Sequence, residues 1–323
     1  MTRAVLVTRT GSPEVLELGT VDLPPPGPGQ ARVRHTVIGV NMIDAYHRSG
    51  LYKVELPCVL GTEAAGFVEA VGEGTGLSVG MRVGYAGTAP GAYAEARNMP
   101  ADRLVRLPDD VSDETAAAVL LKGMTAEFLV RRTYAVRSGN TVLLHAAAGG
   151  VGLIASQWLR ALGARVIGVV GTEAKAQLAR ENGCADVLMS GKDDIAKRVR
   201  ELTAGRGVDV VYDSVGKATF AASLDSLAPR GMLVAFGNAS GRVEPFEPLL
   251  LAQKGSLFLT RPTLAHYTAT TEELRASAAA VFSVLERGAV RVLVGQRFAL
   301  SEAAAAHRAL ESRATVGSTL LTL

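Results

Sequence analysis

Residues 141–152, TVLLHAAAGGVG, run a short apolar strand pattern straight into a turn of alanines and glycines, and LIASQWLRALG then continues with helical spacing. That order constrains the chain more than any other feature. A pyrophosphate is held where backbone N–H groups at a helix N-terminus point at it, and only residues with little or no side chain let the backbone approach that closely. Ala147, Gly149 and Gly152 take the three positions of the G-x-G-x-x-G pattern, with alanine in place of the first glycine. Alone the pattern is weak. Its setting strengthens it, because a strand precedes it, a helix with apolar Leu153, Ile154, Trp158, Leu159 and Leu162 follows, and RVIGVVG (165–171) supplies the next strand.

Around this unit the chain divides. Before about residue 110, short β-branched runs (AVLVTR, ARVRHTVIGV, GFVEAVGEG, GMRVGYAG) alternate with turn residues, which predicts a β-rich region. NMIDAYHRSG (41–50) predicts a helical turn there, and 112–134 predicts one or two helices opened by Ser112 as N-cap. From 124 to 261 strand and helix patterns alternate, with strands at TVLLHA, RVIGVV, DVLM, GVDVVYD, GMLVAFG and SLFLT. The remainder reads as a helix near 272–286, VRVLVGQRFAL, a second helix SEAAAAHRALES and a terminal strand. The expectation is an α/β protein: a doubly wound, six-stranded parallel Rossmann domain (124–261) plus a β-rich catalytic domain (1–123) completed by the returning segment 262–323. Two domains of this kind predict a ligand cleft.

At 323 residues, with 48% hydrophobic and 20% charged residues, the chain can bury large cores. Its net charge of +3 is dispersed, and the densest basic group, Lys197, Arg198 and Arg200, reads as a solvated helix face, so nucleic acid is not expected as the main partner. Two distant cysteines offer no disulfide framework, and no apolar run reaches membrane-spanning length, which predicts a cytoplasmic protein. Cys58 reads as a packed residue rather than a nucleophile, since no histidine is paired with it in sequence.

The cofactor expectation is NADPH. NAD-selective sites carry an acidic residue at the end of the second strand, where this chain has Gly171 and Thr172. Lys175 would add positive charge for a 2′-phosphate, although it also fits a solvated helix position, and a shift of one or two residues would bring Glu173 to the ribose instead. A zinc dehydrogenase needs about three clustered ligands, yet the cysteines lie far apart and the five histidines are scattered singly. No metal is therefore expected, and hydride transfer without one needs an electron-poor acceptor such as a quinone or a conjugated carbonyl. No tyrosine stands four residues before a lysine, so short-chain-reductase chemistry is not expected either.

At GVNMIDAYHRSGLY (39–52), LGTEAAG (60–66), LLKGMTA (120–126), HAAAGGVGLIASQW (145–158), VVYDSVG (210–216), AFGNASG (235–241), KGSLFLTRPTL (254–264) and ESRATVGS (311–318), the chain resembles the zinc-free, zeta-crystallin-like quinone oxidoreductases of the medium-chain dehydrogenase/reductase superfamily, including the bacterial NADPH:quinone reductases. The resemblance spans essentially the whole length. It implies a GroES-like catalytic domain, with Asn41 and Thr62 where the zinc enzymes have cysteine and histidine. It implies Asn41, Tyr46 and Tyr52 near the nicotinamide as catalytic candidates, with Asn41 or a tyrosine hydroxyl bonding the quinone oxygen and no obligatory general acid. For the cofactor it implies Asn41, Tyr46, Lys122, Thr125, Gly149, Gly150, Val151, Gly171, Thr172, Lys175, Ser214, Phe236, Asn238, Arg261 and Arg313. Arg261 and Arg313 also fit domain-interface ion pairs. Ser190 replaces a tyrosine of the relatives that helps bind the 2′-phosphate, which weakens the expected NADPH selectivity. A homodimer is implied, pairing through the edge strand near SLFLT. Reduction of α,β-unsaturated carbonyls or enoyl thioesters, and a non-enzymatic NADPH-binding structural or RNA-associated role, stand as alternatives.

Overall fold

Alternation of apolar and polar residues in ARVRHTVIGV produces a strand buried at every second position from Ala31 to His35, and the rest of the N-terminal region is built on it. The computed structural model describes residues 1–87 and 89–323, and all counts are of those residues. The chain forms two units, one of Met1–Met124, Tyr267–Ser283 and Val292–Leu323, the other of Thr125–His266 and Val284–Arg291.

The first unit begins with β1 (Thr2–Val7), β2 (Glu17–Val21), β3 (Gln30–Val40), α1 (Met42–Ser49), β4 (Cys58–Val59), β5 (Glu63–Val71), β6 (Arg82–Ala86), β7 (Ala96–Pro100), β8 (Val105–Arg106) and α2 (Asp113–Phe128). The span 112–134 is thus one helix, closed by a π-helical turn at Leu129–Thr133. In the second unit β9 (Thr141–His145), α3 (Gly150–Ala161), β10 (Arg165–Val170), α4 (Glu173–Glu181), β11 (Asp186–Met189), α5 (Ile195–Leu202), β12 (Val208–Asp213), α6 (Phe220–Ser226), β13 (Leu227–Ala235), α7 (Leu249–Gln253) and β14 (Phe258–Thr260) follow one another. The chain ends with α8 (Leu264–Tyr267), α9 (Thr271–Glu286), β15 (Val294–Ala299), α10 (Ala303–Glu311) and β16 (Ser318–Thr322).

In the first unit β15-β16-β3-β5-β6-β8 form a sheet, with β7 also on β3, beside the smaller sheet β2-β1-β4. The returning segment supplies β15 and β16, and β16 pairs antiparallel with β3 from Thr319↔Val40 to Thr322↔Val37. Val33, Ile38, Leu60, Val68, Tyr85 and Tyr93 belong to its buried core. His35 is a hydrogen-bonded core residue there, 2.6 Å from the Ala94 carbonyl through Nδ1 and 2.9 Å from the Tyr85 hydroxyl through Nε2.

The second unit is a six-stranded sheet in the order β11-β10-β9-β12-β13-β14, parallel throughout. These are the six strands expected from the sequence, in doubly wound order. The direction of winding reverses between β9 and β12, so the crevice at their carboxyl ends is where such a sheet binds a ligand. The basic stretch on α5 is partly structural: Arg198 pairs with Glu201, and the Arg200 guanidinium donates to the carbonyls of Asp225 (2.9 Å) and Leu227 (2.7 Å). No helix among the described residues is long and apolar enough to cross a membrane.

Candidate functional site

The turn from β9 into α3 is shaped by what its residues lack. Ala146 sits at φ 53°, a left-handed conformation that costs a non-glycine residue energy. Gly149 then caps α3 in extended geometry and accepts from Leu153 N at 2.9 Å. A Cβ on Gly152 would collide with the Ala146 carbonyl oxygen and lie 2.8 Å from the Ala147 backbone, so the third position of the motif is glycine because helix and turn touch there. A Cβ on Gly149 would meet only the Ala146 oxygen, at 3.2 Å. The space left open at Gly149, beside the N–H groups of Gly150 and Val151 in the first turn of α3, fits a pyrophosphate. Alanine is accommodated at the first motif position because β10 carries Gly168 opposite it, where a Cβ would approach that of Ala147 to 2.9 Å.

Beside the turn, at the end of β10, Gly171, Thr172 and Ser190 are exposed, and a Cβ on Gly171 would lie 3.7 Å from the Ser190 hydroxyl. Thr172 Oγ1 caps α4 by accepting from Lys175 N at 3.3 Å. Glu173, the carboxylate that would favour a ribose hydroxyl, is 3.3 Å from Arg180 Nη1. The second unit thus gathers Gly171, Thr172, Lys175 and Ser190 at one corner. The loops after β12 and β13, which carry Ser214 and Asn238, are joined where the Ser214 carbonyl accepts from Ala239 N at 3.2 Å, and the half-buried Phe236 donates its N–H to the Asp213 carbonyl at 2.8 Å. Arg261 follows β14, exposed, with Nη1 3.3 Å from the Pro262 carbonyl, and Thr125 is half-buried on α2.

The remaining candidates belong to the first unit. Asn41 and Lys122 meet on one carboxylate: Glu63 Oε2 accepts from Asn41 Nδ2 at 2.8 Å and from Lys122 Nζ at 3.1 Å, while its Oε1 accepts from Leu121 N at 2.6 Å. Tyr46 and Tyr52 pack edge to face with ring centres 5.1 Å apart. Arg313 is exposed, at φ 59°, just after α10.

Sequence reasoning did not single out Glu63, Asp44, Tyr93 or His307, which complete the buried polar cluster. Asp44 Oδ2 accepts from Asn41 N at 2.9 Å and from the Tyr93 hydroxyl at 3.1 Å, and its Oδ1 accepts from Thr62 Oγ1 at 3.3 Å. The Tyr93 oxygen is in turn 3.0 Å from His307 Nε2. The only available signal was position: Asp44 and Glu63 lie inside the quoted segments 39–52 and 60–66. Burial pushes the Asp44 carboxyl up to about 7, against the hydrogen bonds from Asn41 and Tyr93 and the charge of Lys122. It pushes the Tyr93 hydroxyl well above its ordinary value, and His307 and His35 down to about 3 and about 4.

These shifts fix a pH dependence. Between about pH 4 and 7 native Asp44 holds a proton that the unfolded chain has released, so the stability it contributes in full below about pH 4 is lost progressively as pH rises to about 7. The two histidines act oppositely: unfolded, they take up protons below about 6.5 that the native protein refuses, so stability falls with acid. Asp44→Asn removes the first effect alone. The variant's stability, from urea midpoints, is expected to rise more steeply from pH 4 to 7 than that of the unsubstituted protein, by about 1.4 kcal/mol per pH unit; parallel profiles would contradict the assignment.

Among the described residues no group of three His, Cys, Asp or Glu side chains is placed to hold a metal ion. Asn41 donates one amide N–H to Glu63, and Thr62 donates its hydroxyl to Asp44. Cys58 is half-buried against the core, and burial raises its thiol pKa, which disfavours a thiolate.

A family model described as an alcohol dehydrogenase GroES-like domain matches residues 27–109, and one described as a zinc-binding dehydrogenase matches residues 150–302. The chain is 51% identical over 323 residues to a quinone oxidoreductase of Pseudomonas aeruginosa, covering 99% of each chain. It is 45% identical over 329 residues to a 2-haloacrylate reductase of a Burkholderia species, again covering 99% of each. The crystal structure of an Escherichia coli quinone oxidoreductase complexed with NADPH superposes with a TM-score of 0.98 at 46% identity, over 100% of both chains.

Proposed function

We infer the activity from one premise: the chain belongs to the zinc-free quinone oxidoreductase branch of the medium-chain dehydrogenase/reductase superfamily. It is an NADPH-dependent enzyme that reduces quinones. The observation that carries the cofactor is the open glycine turn at the switch point of the parallel sheet, flanked by Gly171, Thr172 and Ser190 rather than by an acid.

When bound, NADPH supplies a hydride. The residues of the chain bind, orient and exclude. The N–H groups of Gly150 and Val151 meet the pyrophosphate, and Thr172, Lys175 and Ser190 meet the 2′-phosphate. Phe236, Ser214, Asn238 and Arg261 form the wall that shields the cofactor, with Thr125 beside it. On the substrate side, Asn41 keeps one amide N–H on Glu63 and has a second to offer a quinone oxygen as negative charge develops there. Tyr46 and Tyr52 supply an aromatic wall for the quinone ring, and solvent protonates the weakly basic hydroquinone anion. The protein acts as a cytoplasmic homodimer in this reading. Its support is β14, an outer strand of the parallel sheet that exposes 57% of Phe258.

Steady-state kinetics test the assignment. With 1,4-benzoquinone or 1,2-naphthoquinone as acceptor, KM for NADPH is expected to lie below that for NADH, and Lys175→Ala is expected to erase the difference by removing a charge near the 2′-phosphate. Equal KM values in the unsubstituted protein would contradict the cofactor choice. The 45% identity to a 2-haloacrylate reductase supports a second reading, in which an activated alkene is the acceptor. That reaction needs a proton delivered to carbon, so turnover of 2-chloroacrylate, an alkenal or crotonyl-CoA above that of both quinones would favour it.

A further inference from the structure

The two lips of the switch-point crevice are joined by a buried chain of side chains that touches no expected ligand. Asp213 ends β12 and is 1% exposed. Its Oδ1 accepts from Val215 N at 2.7 Å and Gly216 N at 3.1 Å, which folds back the loop that carries Ser214. Its Oδ2 accepts from the hydroxyls of Thr219 at 2.7 Å and Ser223 at 2.8 Å. The Ser223 oxygen also lies 3.0 Å from Nε2 of His145, the last residue of β9 and the one from which the glycine turn springs. The single Ser223 proton goes to the carboxylate, the stronger acceptor, so His145 donates from Nε2 and keeps a bare Nδ1. That Nδ1 is buried and has no hydrogen-bond partner among the described residues.

An imidazole is a costly way to fill this space. His145 is 2% exposed, burial lowers its pKa, and an orphaned buried acceptor destabilises the fold, whereas an apolar side chain would carry neither penalty. What the ring provides is a bond of fixed length and direction between the β9 turn and the β12 loop.

We propose that the Asp213–Ser223–His145 chain is a positioning device, which sets the spacing between the glycine turn and the Ser214 loop and thereby the affinity of the site for the pyrophosphate and nicotinamide portions of the dinucleotide. It rests on the dinucleotide reading above and adds three residues that act through others. Ser223 and His145 are buried, 0% and 2% exposed. They fix where the N–H groups of Gly150 and Val151 stand relative to the β12 loop.

The test uses the full chain and two probes. NADPH spans the crevice, while 2′-AMP carries the adenosine and 2′-phosphate without the pyrophosphate and reports only on the Gly171–Ser190 corner. Ser223→Ala is expected to weaken NADPH binding, followed by cofactor fluorescence, by about tenfold, the factor that the loss of roughly one hydrogen bond's worth of alignment produces. Binding of 2′-AMP is expected to stay within about twofold, and kcat at saturating NADPH to change far less than KM, because misplacement that NADPH overcomes on binding appears in affinity. Ser223→Cys, which keeps the volume with a weaker donor, is expected to fall between and serves alone if the alanine variant does not fold. Unchanged NADPH affinity would overturn the proposal, as would an equal loss for both probes, which marks general loosening of the fold. Failure of the unsubstituted protein to bind NADPH would instead overturn the dinucleotide reading.

Discussion

Gly152→Ala is expected to abolish NADPH binding and to destabilise the protein together. The added methyl would strike the Ala146 carbonyl oxygen and press on the backbone of Ala147, and both are main-chain atoms of the turn itself. No side-chain rotation relieves the contact, so α3 must move off the turn or the turn must open. Overpacking costs about 1–3 kcal/mol, at the upper end where no side chain can yield, and either movement displaces the N–H groups expected to meet the pyrophosphate. The measurements are a cofactor titration and a urea unfolding curve; the expected results are a Kd raised at least about a hundredfold and a clearly lowered midpoint. Gly149→Ala is the informative comparison. Its Cβ would meet the same oxygen at 3.2 Å, a tight contact that a shift of a few tenths of an ångström relieves, so folding should suffer less than in Gly152→Ala while the space for the phosphate is lost. Unimpaired NADPH binding by Gly152→Ala would refute the role given to this turn.

Lys122→Met is expected to produce a large loss of stability in the first unit. Lys122 and Glu63 pair at 3.1 Å with side chains only 6% and 0% exposed. Removing the ammonium leaves a buried carboxylate compensated by only the Asn41 amide and the Leu121 N–H, and breaking such a pair from one side costs about 3–5 kcal/mol. The double variant Lys122→Met/Glu63→Leu removes both charges and is expected to recover much of that loss in urea unfolding. It should not recover quinone reduction, because Asn41 loses the acceptor that orients its amide. A double variant no more stable than the single one would mean that the carboxylate is compensated by other means.

Much of the architecture was legible in advance because it depends on local pattern. Short β-branched runs broken by turn residues identified β3, and such runs separated by helical spacing identified all six strands of the parallel sheet. The glycine turn was legible for the same reason: strand, small residues and helix are contiguous, and close backbone approach leaves its mark directly on residue type. The corner at Gly171, Thr172 and Ser190 was legible only by its lack of an acid. The polar cluster of the first unit was not. Asn41, Glu63 and Lys122 lie on α1's N-cap, β5 and α2, and nothing in the segments around each says that one carboxylate joins them. Tyr93 and His307 are further apart still, 214 positions along the chain, and each alone reads as an ordinary polar residue.

By itself the sequence determined the kinds of element, their order, and the places where the backbone must come close to a ligand, because periodicity and the absence of a Cβ are properties of neighbouring residues. Only the tertiary structure decided which charges are buried and what compensates them: Glu63 against Lys122, Asp44 beneath Tyr93, and Asp213 linked through Ser223 to His145. The physical reason is that desolvation and hydrogen-bond geometry are set by whatever surrounds a group in space, and in this protein those partners come from strands and helices that the chain order keeps apart.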